Sequence, residues 1–401
     1  MADRSYQDWP FFDDGHRALV GQLEAWCTEV LPGVLARTEA AGAGVEATVT
    51  QLVRELGRAQ LLRACVPAAY GGLRDEVDVR SLALARETLA RHSGLADFAL
   101  AMQGLGSAPV SLFGNAAQKA ALLPAVCRGE LIAAFALSEP DAGSDVAAMS
   151  ATARRDGDAW VLDGVKTWIS NAGIAERYVI FARSDADARG AKGISAFVVD
   201  ADTPGLAADE PIPVIAPHPL GTVRLTRCRV GGERLLGQPG DGFKIAMGTL
   251  DLFRTSVGAA ALGFARRALD EATRFAMQRR MFGQTLADFQ LTQLRYGEMA
   301  TAVDASALMV YRSAWTRDVK RTRVTREASM AKLYATEAAQ QVIDAALQLH
   351  GGRGVVSEQP VERLYREIRA LRIYEGATEV LQLIVGRQHL DAARAAAAPT
   401  A

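Results

Sequence analysis

The chain is 401 residues long, with 49% hydrophobic and 23% charged residues, ordinary values for a globular protein of two or three folding units. Its formal net charge of −1 leaves no electrostatic footprint for nucleic acid or an anionic membrane. The four cysteines, Cys27, Cys65, Cys127 and Cys228, form no CxxC pair and no metal-ligand spacing with the histidines, which argues for reduced thiols and against a disulfide scaffold or metal site.

The first ten residues are acidic and polar, without the basic start and apolar run of a secretory signal. Apolar stretches such as Val257–Ala265 fall far short of the ~20 residues that span a bilayer. The expectation is a cytoplasmic protein with no membrane segment.

From Asp13 to Arg128 the sequence predicts helices, with apolar residues at spacings of three and four, as in Leu19, Leu23, Trp26 and Val30. Pro67–Gly72 and Gly104–Pro109 read as loops that break this pattern. From Leu131 to Gly240 the reading is strand-like. Trp160–Leu162 after Asp156-Gly157 suggests a hairpin. Arg177–Phe181 and Ile194–Val199 are short β-rich runs, and Val223–Thr226 alternates with period two. After Gly242 the helical period returns to about Ala397. Ala331, Ala335, Ala338, Val342, Ala345 and Leu349 form a stripe of small apolar residues suited to a bundle core, and Gly351-Gly352 stops that helix. The basic run Lys320–Arg323 reads as a solvated loop or helix end. The expected division is a helical domain over 1–130, a β domain over 131–240, a helical bundle over 241–395 and a frayed alanine-rich tail over 396–401. There is neither a GxGxxG after a strand nor a GxxxxGK[ST] loop, so a nucleotide cofactor needs another mode of binding.

Five segments concentrate chemistry. Phe135–Asp145 leads from apolar residues into a loop rich in Ser, Gly and Asp, either a plain surface loop or one that brings N–H groups and hydroxyls to a flat polar ligand. In Gly164–Gly173, Trp168 and Ser170 point to one face of a strand; that tryptophan is either core or a plane for a heteroaromatic ring. In Arg279–Gln290, an arginine precedes a glycine turn, either a helix-capping cation or a phosphate clamp. Gln348–Gly354 holds the double glycine. In Arg372–Glu379, Glu375 lies between an aromatic residue and a glycine just before a new helix. It is either an acid facing that helix's dipole or a base toward a weakly acidic C–H.

The order and spacing of these segments resemble the acyl-CoA dehydrogenase family over nearly the whole chain. The matching motifs are the Ser138–Asp145 loop, Trp168-Ile169-Ser170, Arg279…Phe282-Gly283, Gln348…Gly351-Gly352 and Tyr374-Glu375-Gly376. The resemblance implies an α+β, mainly α fold: an N-terminal helical domain, a middle β-barrel-like domain and a C-terminal four-helix bundle. It implies FAD as cofactor, an acyl-CoA substrate dehydrogenated to a 2-enoyl-CoA, and a homo-oligomer of at least two subunits, usually a tetramer. It also implies an electron-transfer flavoprotein as acceptor. By the same resemblance Glu375 is the α-proton base and flavin N5 the hydride acceptor. Phe135, Leu137, Ser138, Gly143, Ser144, Trp168, Ile169 and Ser170 are implied at the flavin end. Arg279, Phe282, Gln348, Gly351 and Gly352 are implied to reach the cofactor of a partner subunit, Gln290 to contact the cofactor, and Thr378 and Glu379 to begin a helix near its phosphates. Ser144, Asp251, Arg254, Tyr374 and Gly376 are the implied substrate contacts.

Some family members carry the base immediately before the arginine matching Arg254; here that residue is Phe253, which cannot serve. The stretch His218–Leu225 and the pair Gly231-Gly232 depart from the family pattern, as does Ala377, which replaces a common threonine. Asp97 and Phe98 fall where the acyl pocket would be lined, and Phe98 reads equally as helix core. Alternative functions on the same fold are an acyl-CoA oxidase, a flavin monooxygenase or a non-catalytic helical scaffold.

Overall fold

The structure, a computed structural model, describes residues 3–188 and 190–397. Six helices come first: α1 (Asp14–Glu29), α2 (Leu31–Ala40), α3 (Val45–Arg58), α4 (Val79–His92), α5 (Gly94–Phe113) and α6 (Ala116–Cys127). Eight strands follow: β1 (Ala133–Ala136), β2 (Thr152–Asp156), β3 (Ala159–Ser170), β4 (Arg177–Arg183), β5 (Ile194–Asp200), β6 (Leu206–Ala208), β7 (Leu220–Gly231) and β8 (Leu235–Leu236). Then come α7 (Gly242–Gln278), the small hairpin β9 (Arg280–Met281) and β10 (Gln284–Thr285), and α8 (Gln290–Lys320), α9 (Thr325–His350), α10 (Pro360–Leu371) and α11 (Thr378–Ala397). Among the described residues, no helix is long and apolar enough to cross a membrane.

The chain forms two compact units, each drawn from separate stretches of sequence: residues 24–78 with 95–250, and residues 1–23 with 79–94 and 251–401.

The first unit is organised by the eight-stranded sheet, in the order β6-β7-β3-β2-β4-β5-β8, with β1 pairing parallel to β4. The Asp156-Gly157 signal becomes the tight β2–β3 hairpin, with Gly157 at φ 64°. Along β7, Val223 and Leu225 are buried while Arg224 and Thr226 are exposed, as alternation predicts. Gly104–Pro109 corrects the expectation of a loop, since it lies inside α5. A Cβ on Gly106 would sit 2.7 Å from the Ala133 backbone, so the glycine lets the helix press against β1. Gln103 Nε2 donates to the Leu131 carbonyl at 2.7 Å, and Ser107 Oγ donates to the Gln103 carbonyl at 2.7 Å. Tertiary contact thus overrides three residues that break helices in isolation, Gly104, Gly106 and Pro109.

The second unit is a helical bundle around α7, α8 and α9. The alanine stripe of α9 belongs to its core, with Ala331 and Ala335 fully buried. A Cβ on Gly258 of α7 would lie 3.0 Å from Val310 of α8 and 3.2 Å from the Ala331 carbonyl of α9, so small residues set the spacing of all three helices. The buried Arg266 donates to Glu87 Oε1 at 2.7 Å and stacks 4.2 Å over the Tyr6 ring, which satisfies a charge that would otherwise oppose folding. Asp318 of α8 accepts the amides of Val79 and Arg80 at 3.1 and 2.9 Å, capping the start of α4 from another helix. Alanine is the best helix former, and α11 continues through Ala397; the remainder of the alanine-rich tail, residues 398–401, lies outside the described residues.

Candidate active site

In the sheet unit, the segment after β1 is fixed from beneath by a buried ion pair. Lys166 of β3 is fully buried and donates to Glu139 Oε1 at 2.8 Å and to the Leu137 carbonyl at 3.1 Å. Glu139 also accepts from the Ser150 amide and hydroxyl at 2.6 and 2.8 Å and from the Ala151 amide at 3.0 Å. Burial opposes the charge on Glu139, but the lysine and these donors outweigh it and hold its carboxyl below the usual range. Burial likewise depresses the Lys166 ammonium, against the pull of Glu139. One structural pair therefore orients the chain around Leu137 and Ser138.

Ser138 is joined to β3 directly, because its carbonyl accepts the Thr167 amide at 3.0 Å. The next residue, Trp168, stands at φ 58°, inside a register shift of β3 against β7 between Lys166 and Ile169. A non-glycine residue in the left-handed region costs on the order of 1–3 kcal/mol and persists only where its surroundings impose it. Here Thr167 Oγ1 meets Thr222 Oγ1 at 3.0 Å, Ile169 is buried, and the Asn171 amide and side chain bond to the Pro219 and Ala133 carbonyls at 3.0 and 3.1 Å. The bulge leaves Trp168 57% exposed, so it is not core. It presents a flat apolar face beside the half-buried Ser138 and Ser170. Gly143 and Ser144 follow in the exposed part of the loop, and nothing lies within 4 Å of a Cβ on Gly143. Elsewhere in this unit Phe98 stacks on His218, ring centroids 4.8 Å apart, so the departing His218 segment is packed onto α5.

In the helical unit, the centre is the turn between α10 and α11. Tyr374 still bonds back to the Ala370 carbonyl at 3.1 Å, and then Glu375 and Gly376 take φ 54° and 108° in succession. Three side chains hold this turn. Arg254 of α7 donates from Nε to the Glu375 carbonyl at 3.2 Å, and its Nη1 pairs with Asp251 at 2.9 Å. Lys332 of α9 donates to the Gly376 carbonyl at 2.6 Å. Glu337, also of α9, accepts the Thr378 hydroxyl at 2.5 Å and forms a two-pronged pair with Arg372 at 2.9 and 2.8 Å. Asp251 is further bonded by Thr325 Oγ1 at 2.5 Å and by Arg323 Nε at 3.4 Å, so one residue of the basic run does reach a partner.

Burial lowers the Lys332 ammonium to about 8, with Glu375 pulling it up and Arg254 pushing it further down. Arg254 is also depressed by burial, against the pull of Asp251 and Glu375. Glu375 thus sits on a turn gripped by two buried cations.

Asp251, Arg254, Tyr374, Glu375, Gly376 and Thr378 therefore come together in this unit. A second grouping stands at the far ends of α7 and α9. Phe282 and Gly283, at φ 49° and 84°, form the tip of the β9–β10 hairpin that follows Arg279, and Phe282 is 87% exposed. The hairpin leads into Gln290 at the start of α8, and the exposed Gln348 lies in the last turn of α9. The His350 ring stacks on Phe275 at 4.4 Å, which ties the exposed Gly351-Gly352 turn to the end of α7. Glu379 is exposed in the first turn of α11. Sequence reasoning missed Lys332 and Glu337. The available signal for Lys332 is its place in the small-residue stripe, flanked by Ala328, Ala331 and Ala335, where a lysine has to be buried.

Comparison with known proteins agrees with this architecture. The acyl-CoA dehydrogenase N-terminal, middle and C-terminal domains match residues 13–130, 134–228 and 240–390. The short-chain specific acyl-CoA dehydrogenase, mitochondrial, of Mus musculus is 39% identical over 339 residues, covering 84% of this chain and 81% of that one. Butyryl-CoA dehydrogenase from Megasphaera elsdenii superposes with a TM-score of 0.87 at 31% identity, over 94% of this chain and 99% of that chain. An acyl-CoA dehydrogenase complexed with FAD, from Bacillus anthracis, gives 0.88 at 31% identity, over 99% of this chain and 72% of that chain. Helices, a sheet and further helices in this order are the architecture of a dehydrogenase acting on acyl-CoA thioesters. The chain belongs to the acyl-CoA dehydrogenase family.

Proposed function

We propose that this chain is an FAD-dependent dehydrogenase of short acyl-CoA thioesters, with Glu375 as the base that removes the α-proton. The observation that carries the assignment is Glu375 itself: a carboxylate in the left-handed region, on a turn whose carbonyls are held by Arg254 and Lys332. Backbone strain so firmly anchored is characteristic of working sites.

The sheet unit fits the ring of FAD. An exposed indole on a strained bulge, half-buried hydroxyls at Ser138 and Ser170, and an open glycine at 143 suit a flat heteroaromatic group with polar edges. When bound, FAD supplies the acceptor for the hydride that leaves the β-carbon. The rest of the step belongs to the chain. The Glu375 carboxylate takes the α-proton as the Cα–Cβ double bond forms, and the Glu375 amide donates to the thioester oxygen, where negative charge develops. Asp251 and Arg254 lie beside the turn as substrate contacts, with Arg254 also holding the Glu375 carbonyl. Phe253 is buried core and offers no competing base.

Short acyl groups are favoured by two of the relatives named above, the short-chain specific acyl-CoA dehydrogenase and the butyryl-CoA dehydrogenase. Arg279, the exposed Phe282 and the Gln348–Gly352 turn serve the cofactor of a second copy in a homo-oligomer, and the electrons pass on to an electron-transfer flavoprotein; both proposals follow the family resemblance.

The test is anaerobic bleaching of the FAD-loaded protein with straight, branched and aromatic acyl-CoAs, repeated for Glu375→Gln. Loss of the general base is expected to slow reduction by about 10²–10⁴-fold. A variant that bleaches at the wild-type rate contradicts the assignment.

A further inference from the structure

We infer that Lys332 is a positioning residue for the proposed base: from within the α9 stripe it ties down the turn carbonyl after Glu375, and its charge keeps the neighbouring carboxylate ready to accept a proton. The inference rests on the reading of Glu375 as the base.

The position of the lysine is costly. Its side chain is fully buried with Ala328, Ala331 and Ala335, on a helix whose other buried residues are mostly small and all uncharged, Ser329 and Thr336 included. A polar group there is tolerated only if it is bonded, and a charge only if it is also paired. Its hydrogen bond runs to a main-chain carbonyl, Gly376 O, 44 residues along the chain at 2.6 Å. A neutral amide would satisfy that carbonyl without the cost of burying an ammonium. What the ammonium adds is charge. The groups facing it are Glu375 and Glu337, which favour the cation, and Arg254 and Arg372, which oppose it; Glu375 is the strongest of the four. Glu337 and Arg372 form a pair of their own with two hydrogen bonds, and Arg254 is paired with Asp251. Lys332 is therefore left to act chiefly on Glu375. Because Coulomb attraction is mutual, a carboxylate that favours the ammonium is favoured by it in turn.

Geometry and charge then work together. Arg254 holds the Glu375 carbonyl, Lys332 holds the Gly376 carbonyl, and Glu337 holds the Thr378 hydroxyl, so consecutive points of the turn are pinned from α7 and α9. The two left-handed residues cannot relax without releasing one of these grips.

The experiment compares FAD-loaded wild type, Lys332→Met, Lys332→Gln and Glu375→Gln. Each is checked for flavin content, then followed by anaerobic stopped-flow reduction with saturating butyryl-CoA between pH 5.5 and 9. Lys332→Met removes both tether and charge. Its limiting rate is expected to fall at least tenfold, as for a small misplacement of a reacting group, with KM changed less than about threefold. The acid limb of its rate profile is expected to move up by roughly one pH unit, since a cation beside a carboxylate has gone. Lys332→Gln retains a donor to Gly376 O, so it is expected to recover much of the rate while keeping the shifted limb, and it decides the matter if Lys332→Met does not fold. A purely structural lysine would leave the acid limb in place in both variants; that result, with Glu375→Gln inactive, overturns this inference alone. If Glu375→Gln is reduced as fast as wild type, the base assignment falls and the inference falls with it.

Discussion

Gly376 shows how much a single backbone angle carries. At φ 108° a side chain is strained in any case, and a Cβ would lie 2.9 Å from Leu381 Cδ2. Gly376→Ala is expected to destabilise the protein by about 1–3 kcal/mol and to slow flavin reduction disproportionately, because the turn it distorts carries Glu375. Denaturant unfolding and stopped-flow reduction on the same sample check both. A variant with unchanged stability and rate would mean that the turn is not under constraint. Lys332 makes a separate statement about pH. Burial takes its ammonium from 10.5 to about 8 in the folded state. Between those values the unfolded chain binds more protons, so this group's contribution to stability rises with pH across the window and is lost as pH falls through about 8. The full span is on the order of 3 kcal/mol. Unfolding of wild type and Lys332→Met from pH 7 to 11 is expected to show wild type gaining on the variant between pH 8 and 10.5; parallel curves would show that Lys332 is not buried as a cation.

At the scale of elements, a strand and a turn do the positioning. The β3 bulge turns Trp168 outward, and the buried Lys166–Glu139 pair steadies the loop beside it. Trp168→Ala removes an exposed side chain, so it is expected to change stability by no more than about 0.5 kcal/mol, while weakening FAD retention severalfold. Thermal unfolding of the apoprotein and FAD titration followed by fluorescence separate the two effects; a strongly destabilised apoprotein with normal FAD affinity would return Trp168 to a structural role. The Trp168–Ser170 alternation was legible in the sequence, but the bulge was not, because a register shift is set by the partner strand β7 and by the Thr167–Thr222 contact rather than by β3 alone. Gly104–Pro109 failed for the same kind of reason. Glycine and proline read locally as breakers, yet Gly106 is there to let α5 approach β1.

For the molecule as a whole, the order of helices, sheet and helices was legible because the period of hydrophobicity changes from 3.6 to 2 and back, a signal summed over long windows. Its division into two compact units was not, since each unit gathers segments distant in sequence, as when residues 79–94 join a bundle that begins in earnest at residue 251. The candidate site shares that property. Glu375 stood out as a carboxylate between an aromatic residue and a glycine, whereas Lys332 and Glu337 lie about forty residues away on a helix that reads as bundle core, and only the folded chain shows them gripping the turn. The central claim is that this carboxylate removes the substrate's α-proton. It is tested most directly by anaerobic stopped-flow reduction of FAD-loaded wild type and Glu375→Gln with butyryl-CoA. Equal flavin content is expected in the two proteins, with a reduction rate lower by about 10²–10⁴-fold in the variant. Equal rates in the two proteins would contradict it.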